Sequence, residues 1–296
     1  MGVLSLFQQR LQTTQTSSSI LGDNGKQEGS RDPPDLSERY FEQARRADAS
    51  RMKELIKTLL FDFGGTLDAK GVAWKERFYA HYRAEGLDMT ADAFESCFFA
   101  ADDPLVGSLA PATDLSGTVH ALVANLEAEL ARRGAGADKT GIANGRSNGD
   151  RSLRVASRFL SEASATFARN RPILEALRER YRIGIVSNFY GNLDAVCHGA
   201  GLASLFAVVV DSHCVAAEKP DPAIFRVALE SLRATPETTV FVGDSLRRDC
   251  EGARRTGMRF IWMVPQGVQA AEARASAEPA VEHAVTDLHD LMKILT

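Results

Sequence analysis

Asp62, Ser187 and Asp244 stand where apolar runs give out, Lys219 lies in a loop and Asp249 follows Asp244 by five residues, and their types together suit phosphoryl chemistry. Asp62 closes the run "TLLFDF" and is followed by Gly64, Gly65 and Thr66. Ser187 and Asn188 close "RIGIVSN", Lys219 lies in "AEKPDPAIF", and Asp244 closes "TVFVGD" with Asp249 following in "SLRRD". A carboxylate at a strand end can attack phosphorus and form an acyl phosphate. A phosphate dianion repels that carboxylate, so positive charge is required, and Lys219 supplies one unit. Asp62 and Asp244, with a backbone carbonyl nearby, make a hard oxygen site suited to Mg²⁺. Metal and lysine would stabilise charge on the transferring group. The Ser187 hydroxyl can hydrogen-bond phosphoryl oxygens, and Asp249 can hold the metal through water or orient Lys219. Taken singly, each residue is as readily a cap, a turn or a solvated loop. Their order along the chain, at the ends of separate strands and in one loop, is what points to a site.

The elements that must bring them together alternate. "TLLFDF", "RIGIVSN", "AVVVDS", "TVFVGD" and "RFIWMV" are short, nearly continuous apolar runs, the pattern of strands buried on both faces of a parallel sheet. Amphipathic stretches such as "PILEALRERY" and "PAIFRVALESL" separate them. The expected fold is α/β, a doubly wound Rossmann-like sheet whose carboxyl ends meet in one crevice. Between Asp68 and about Arg171 the alternation stops and only helical periodicity remains. Val119, Leu122, Val123, Leu126 and Leu130 share one helix face, as do Ala156, Phe159, Leu160, Ala163 and Phe167. Trp74, Phe78 and Tyr82 fall at i, i+4 and i+8, and these stripes read as core. An all-helical module is therefore inserted after the first strand. The Gly/Asn-rich stretch at 134–150 within it reads as an exposed loop.

The four polar strand ends resemble the motifs of the haloacid dehalogenase-like hydrolases over about residues 57 to 296. "DFGGT" matches the first motif in part, with Asp62 as nucleophile and Thr66 in place; "IGIVSN" matches the second at Ser187. "EKPDPAIF" matches the third at Lys219, and "GDSLRRD" the fourth at Asp244 and Asp249. The resemblance implies that the helical insertion is a C1-type cap and that "EHAVTDLHDLMKIL" holds a last strand and helix. It divides the chain into an extension at 1–51, an α/β core at 52–70 and 170–296, and a cap at 71–169. It implies Thr66, Ser187, Asn188 and Lys219 about the phosphoryl group, and Mg²⁺ held by Asp62, the Gly64 carbonyl, Asp244 and Asp249. One position departs. The family's phosphatases carry a second Asp where this chain has Gly64, and that Asp protonates the leaving alcohol and then activates water. Asp68 lies beyond the expected turn and is not expected to replace it.

The implied activity is Mg²⁺-dependent hydrolysis of a small phosphorylated metabolite through an aspartyl phosphate. Alternatives are cleavage of carbon–halogen or carbon–phosphorus bonds, whose enzymes also lack the second Asp, or phosphate binding with little catalysis. Retention of Asp244 and Asp249 argues against the first alternative. The second needs a cap lysine, and Lys75 in "WKERF" reads as a surface position.

Composition sets outer bounds. The 296 residues are 44% hydrophobic with a formal net charge of -4. The pI is about 5.9. Nothing in that balance points to nucleic acid or an anionic membrane as partner. Four scattered cysteines without a C-x-x-C pair read as reduced thiols of a cytoplasmic protein. No apolar run approaches the roughly 20 residues of a membrane span. The first residues lack the basic region of a signal peptide, and Leu6 stands where a myristoylation pattern needs Ser or Thr. The polar segment to about Pro34 is expected to be disordered, followed by a helical lead-in, with residues 1–51 dispensable to the site.

Overall fold

The computed structural model describes residues 55–135, 148–277 and 281–295. The expected N-terminal extension, its helical lead-in and most of the Gly/Asn-rich loop lie outside the described residues. The described residues all belong to the compact unit Ala49–Thr296. No helix among them is long and apolar enough to cross a membrane.

Six parallel strands form one sheet: β1 (Thr58–Phe61), β2 (Arg182–Ser187), β3 (Val208–Asp211), β4 (Thr239–Gly243), β5 (Arg259–Met263) and β6 (Val281–Val285). Their order is β3-β2-β1-β4-β5-β6. The five apolar runs read from the sequence are β1 to β5, and the expected last strand is β6. All four residues of β1 are buried, as are all five of β4, because helices cover both faces. β1 lies between β2 and β4, with Phe61 opposite Ile185 on one side and Val242 on the other. That register decides where the polar residues emerge. Asp62 follows Phe61 directly, Ser187 lies two residues past Ile185, and Asp244 two past Val242. The Asp62 N–H donates to the Val242 carbonyl at 2.9 Å, so the ladder reaches the aspartate itself.

The insertion is helical, as its periodicity requires: α1 (Trp74–Ala84), α2 (Ala91–Asp102), α3 (Leu115–Arg132) and α4 (Asn148–Arg178). Thr90 and Asp114 cap α2 and α3 through side-chain oxygens that accept the N–H of Ala93 and Gly117. The α3 stripe of Val119, Leu122, Val123, Leu126 and Leu130 is buried; so are Ala156, Phe159, Ala163 and Phe167 of α4, with Leu160 partly covered. Phe78 and Phe159 stack at 4.4 Å between ring centroids, with Trp74 edge-on to Phe159 at 5.0 Å. α4 does not stop with the insertion. It runs on through Pro172 to bury Leu174 and Leu177, so one apolar cluster extends from the insertion into the sheet. The longer remaining helices, α5 (Leu193–Gly199), α6 (Pro222–Leu232), α7 (Glu251–Thr256), α8 (Ala270–Ser276) and α9 (His289–Leu295), belong to the sheet layers.

The turn that leaves β1 is clasped to the insertion by one carboxylate. Asp68 is fully buried. Its Oδ1 accepts the Gly65 N–H at 2.7 Å, and its Oδ2 accepts Trp74 Nε1 and Arg77 Nη1, each at 2.7 Å. Burial raises the pKa of Asp68, and the Arg77 charge with these donors opposes the rise. Arg77 is itself buried, lies 3.8 Å from the Phe159 ring centroid and donates to the Phe159 carbonyl. On the α4 side, Asn170 Nδ2 donates to the Leu67 carbonyl at 3.0 Å. Arg77→Met leaves Asp68 buried without its cation, and loss of one partner of such a pair costs about 3–5 kcal/mol. Urea denaturation is expected to show a loss of that order, and a midpoint equal to wild type would refute the clasp.

Candidate active site

Asp62, Ser187, Lys219, Asp244 and Asp249 converge at the carboxyl ends of β1, β2 and β4 and in the loop after β3. Lys219 is the hub. Its Nζ donates to Asp62 Oδ1 at 2.6 Å and to Asp249 Oδ1 at 2.7 Å. Ser187 Oγ donates to the same Asp62 Oδ1 at 2.7 Å. The other oxygen of Asp62 accepts no hydrogen bond among the described residues. Asp249 is held by Lys219 on Oδ1 and by the Ser245 N–H on Oδ2 at 3.0 Å. Thr66 Oγ1 points to Asp244 Oδ1 at 3.4 Å.

Asp62, Thr66, Ser187, Lys219 and Asp249 are buried and Asp244 is half-buried, and burial sets the electrostatics. Burial alone would lower the pKa of Lys219, but Asp249 and Asp62 outweigh it and hold the ammonium above its usual range. Burial lifts Asp249 to about 6, with Lys219 opposing and Asp62 adding to the rise. Asp244 is raised well above its ordinary value, by burial and then by the charges of Asp62 and Asp249. One carboxylate oxygen from each of Asp62, Asp244 and Asp249 lies within 4.8 Å of the other two. Three carboxylates facing one lysine leave an excess of negative charge, and a hard divalent cation suits that donor set.

The loop after β1 is shaped for close approach. Gly65 has φ of +92°, and a Cβ there would lie 2.4 Å from Asp244 Oδ2. At Gly64 the limit is a neighbour. A Cβ would lie 3.3 Å from Trp74 Nε1, on the indole that Asp68 holds. The place of the family's second carboxylate is thus roofed by a tryptophan. Sequence reading put Trp74 in a core stripe, and its i, i+4, i+8 spacing carried no hint that its edge faces Gly64. Asp68 is bound on both oxygens and has no free one to move a proton.

Asn188 was expected about the phosphoryl group. Its side chain is held by the backbone of the lysine: Nδ2 donates to the Lys219 carbonyl at 3.1 Å, and Oδ1 accepts the Lys219 N–H at 2.7 Å. Asp211, at the end of β3, was missed. It accepts the N–H groups of Gly191, Leu193 and His213 and so shapes the loop that follows Ser187 and Asn188. Trp262 Nε1 donates to the Asp244 carbonyl at 2.9 Å, which fixes the turn after β4. Lys75 pairs with Glu95 on the insertion, away from these groups. The four cysteines are free thiols, three of them buried.

Residues 56–257 match the model of the haloacid dehalogenase-like hydrolases. The chain is 36% identical over 107 residues to a phosphoserine phosphatase of Thermus thermophilus, covering 36% of this chain and 43% of that protein. It is 31% identical over 94 residues to a glyceraldehyde 3-phosphate phosphatase of Pyrococcus furiosus, covering 32% and 38%. The matches thus span less than half the length of these curated relatives. A dehalogenase crystal structure with an intermediate complex superposes with a TM-score of 0.52 at 19% identity, over 81% of this chain and 97% of that one, which is a likeness of fold. With the family model spanning most of the chain and the polar ends of three strands gathered about one lysine, this protein belongs to the haloacid dehalogenase-like hydrolases.

Proposed function

We propose that this protein is a Mg²⁺-dependent phosphatase of a small phosphorylated metabolite, acting in the cytoplasm through an aspartyl phosphate on Asp62. The observation that carries this reading is the shared contact of Ser187 and Lys219 on one oxygen of Asp62, which leaves the other free beside a cluster of carboxylates. The names of the two phosphatase relatives point the same way.

In this reading the free Asp62 oxygen attacks phosphorus, and the ester oxygen leaves. Lys219 offsets the negative charge gathered about the phosphoryl group. Ser187 orients Asp62 and, with Thr66, offers hydroxyls to phosphoryl oxygens. Asn188 fixes the backbone of Lys219, and Asp249 holds its ammonium in place. Asp62, the Gly64 carbonyl and Asp244 would hold Mg²⁺, with Asp249 in support. When bound, the metal supplies positive charge that lets a carboxylate approach a phosphate dianion. The insertion at 71–169 is assigned as the cap that closes over Asp62, and its side chains set specificity.

Asp62→Asn is expected to abolish hydrolysis of p-nitrophenyl phosphate and acid-stable labelling of the protein by a ³²P ester, with circular dichroism unchanged. Hydrolysis at the wild-type rate would refute the nucleophile. Chelation is expected to stop turnover and added Mg²⁺ to restore it, and full activity in chelator would exclude the metal. Gly64→Asp must push against the Trp74 indole. Overpacking of this kind costs about 1–3 kcal/mol, read as a lower urea midpoint, and an unchanged midpoint would show that the indole gives way freely.

A further inference from the structure

The missing carboxylate at position 64 leaves the leaving group without a proton donor from the β1 loop. Each carboxylate already described is committed. Asp62, Asp244 and Asp249 form the charged cluster with Lys219, Asp68 is bound on both oxygens, and Asp211 is bound by three backbone N–H groups. One further acid stands at the same edge of the sheet. Asp102 is the last residue of α2, half-buried, and its Oδ1 accepts the hydroxyl of Tyr190. Tyr190 lies three residues beyond Ser187, and Arg248, whose charge acts on Asp102, lies one residue before Asp249. The carboxyl therefore sits where the insertion meets the two loops that carry Ser187 and Asp249. A chain of contacts leads from it back to the gap: the Tyr190 ring lies 6.2 Å from Trp74, and Trp74 covers Gly64. Gly107, just beyond α2, donates its N–H to the Tyr190 carbonyl at 3.0 Å, which fixes this edge of the insertion to the loop. The second oxygen of Asp102 accepts no hydrogen bond among the described residues, so it is open to carry a proton.

We propose that Asp102, held by Tyr190, is the proton donor to the leaving oxygen, delivered by the insertion in place of the acid absent at Gly64. The inference rests on the phosphatase reading above. In the first step an Asp62 oxygen forms a bond to phosphorus as the P–O ester bond breaks. The proton of the Asp102 carboxyl passes to the departing oxygen, giving a neutral alcohol, an aspartyl phosphate and a carboxylate at Asp102. In the second step a water oxygen attacks the phosphorus of the aspartyl phosphate and gives a proton to Asp102. Phosphate leaves, and both carboxyl groups return to their starting state. The environment suits the role. Burial raises the pKa of Asp102 to about 6, with Tyr190 and Arg248 lowering it and the neighbouring Asp103 raising it.

The test compares glycerol 1-phosphate, whose alkoxide leaves poorly, with p-nitrophenyl phosphate, whose leaving group needs little protonation, on the full chain with Mg²⁺. Asp102→Asn is expected to lower kcat on the alkyl ester by about 100-fold, and by at least about tenfold less on the aryl ester. Wild-type alkyl turnover should fall as pH rises through about 6, where Asp102 loses its proton. Tyr190→Phe removes the hydrogen bond that lowers this pKa, so the falling limb should move to higher pH, a shift that a merely structural role would not produce. Equal losses on the two esters in Asp102→Asn, or an unmoved limb in Tyr190→Phe, would overturn the inference. A wild-type protein that labels Asp62 from neither ester refutes the phosphatase reading and this inference together, whereas labelling with an unchanged ester ratio in Asp102→Asn refutes this inference alone.

Discussion

A single buried ammonium sets the terms for the rest of the molecule. Lys219 is 4% exposed and touches both Asp62 and Asp249. A carboxylate out of water is costly unless it is paired, and two carboxylates close together repel each other as well. The ammonium relieves both at once, but only if it is fixed, and much of the surrounding architecture exists to fix it. Asn188 clamps its backbone from the end of β2. Ser245, past the end of β4, holds the far oxygen of Asp249. The parallel register about β1 brings these loops within reach of one nitrogen. Asp244 has no such partner among the described residues, and burial first, then the charges of Asp62 and Asp249, raise its pKa strongly.

A second buried ion pair governs the other side of Asp62. Asp68 and Arg77 tie the β1 loop to the first helix of the insertion, with Trp74 as third member. The consequence reaches Gly64, because the indole fixed by Asp68 occupies the space that a longer side chain would need. The glycine and the tryptophan are therefore one feature. Neither is intelligible without the carboxylate that is buried between them and the arginine.

The sheet was legible because strands covered on both faces leave an unbroken apolar trace, and the polar residues that end β1, β2 and β4 stand out against it. The converging site was legible for the same reason. Pairings across the insertion were not. Periodicity says that Trp74, Phe78 and Tyr82 face inward, yet it is silent on what they face, and the contact of Trp74 with Gly64 depends on how α1 is set against the β1 loop. Asp68 read as an isolated acid past a turn, since its partner Arg77 lies on the next helix and forms no spacing motif with it. Asp102 was hidden at a helix end, where an aspartate needs no explanation until the tyrosine from another loop is seen to reach it. The boundary between core and insertion, placed near residue 170, falls inside the continuous helix α4. Amphipathic periodicity runs through that point without a break, although the neighbours of the helix change there.

That continuity has a mechanical consequence. A helix of 31 residues measures about 46 Å at 1.5 Å per residue, and α4 is a beam anchored in both parts of the molecule. One of the two strands of chain joining insertion to sheet is therefore stiff, and displacement of the insertion must be taken up by flexing the beam. Pro172 marks where flexing costs least. It has no N–H to donate to the Ala168 carbonyl, and its ring crowds that turn. Two residues earlier, Asn170 grips the Leu67 carbonyl, so the compliant point lies beside a fixed one. A bend at Pro172 would swing the Asp102 end of the insertion relative to the β1 loop.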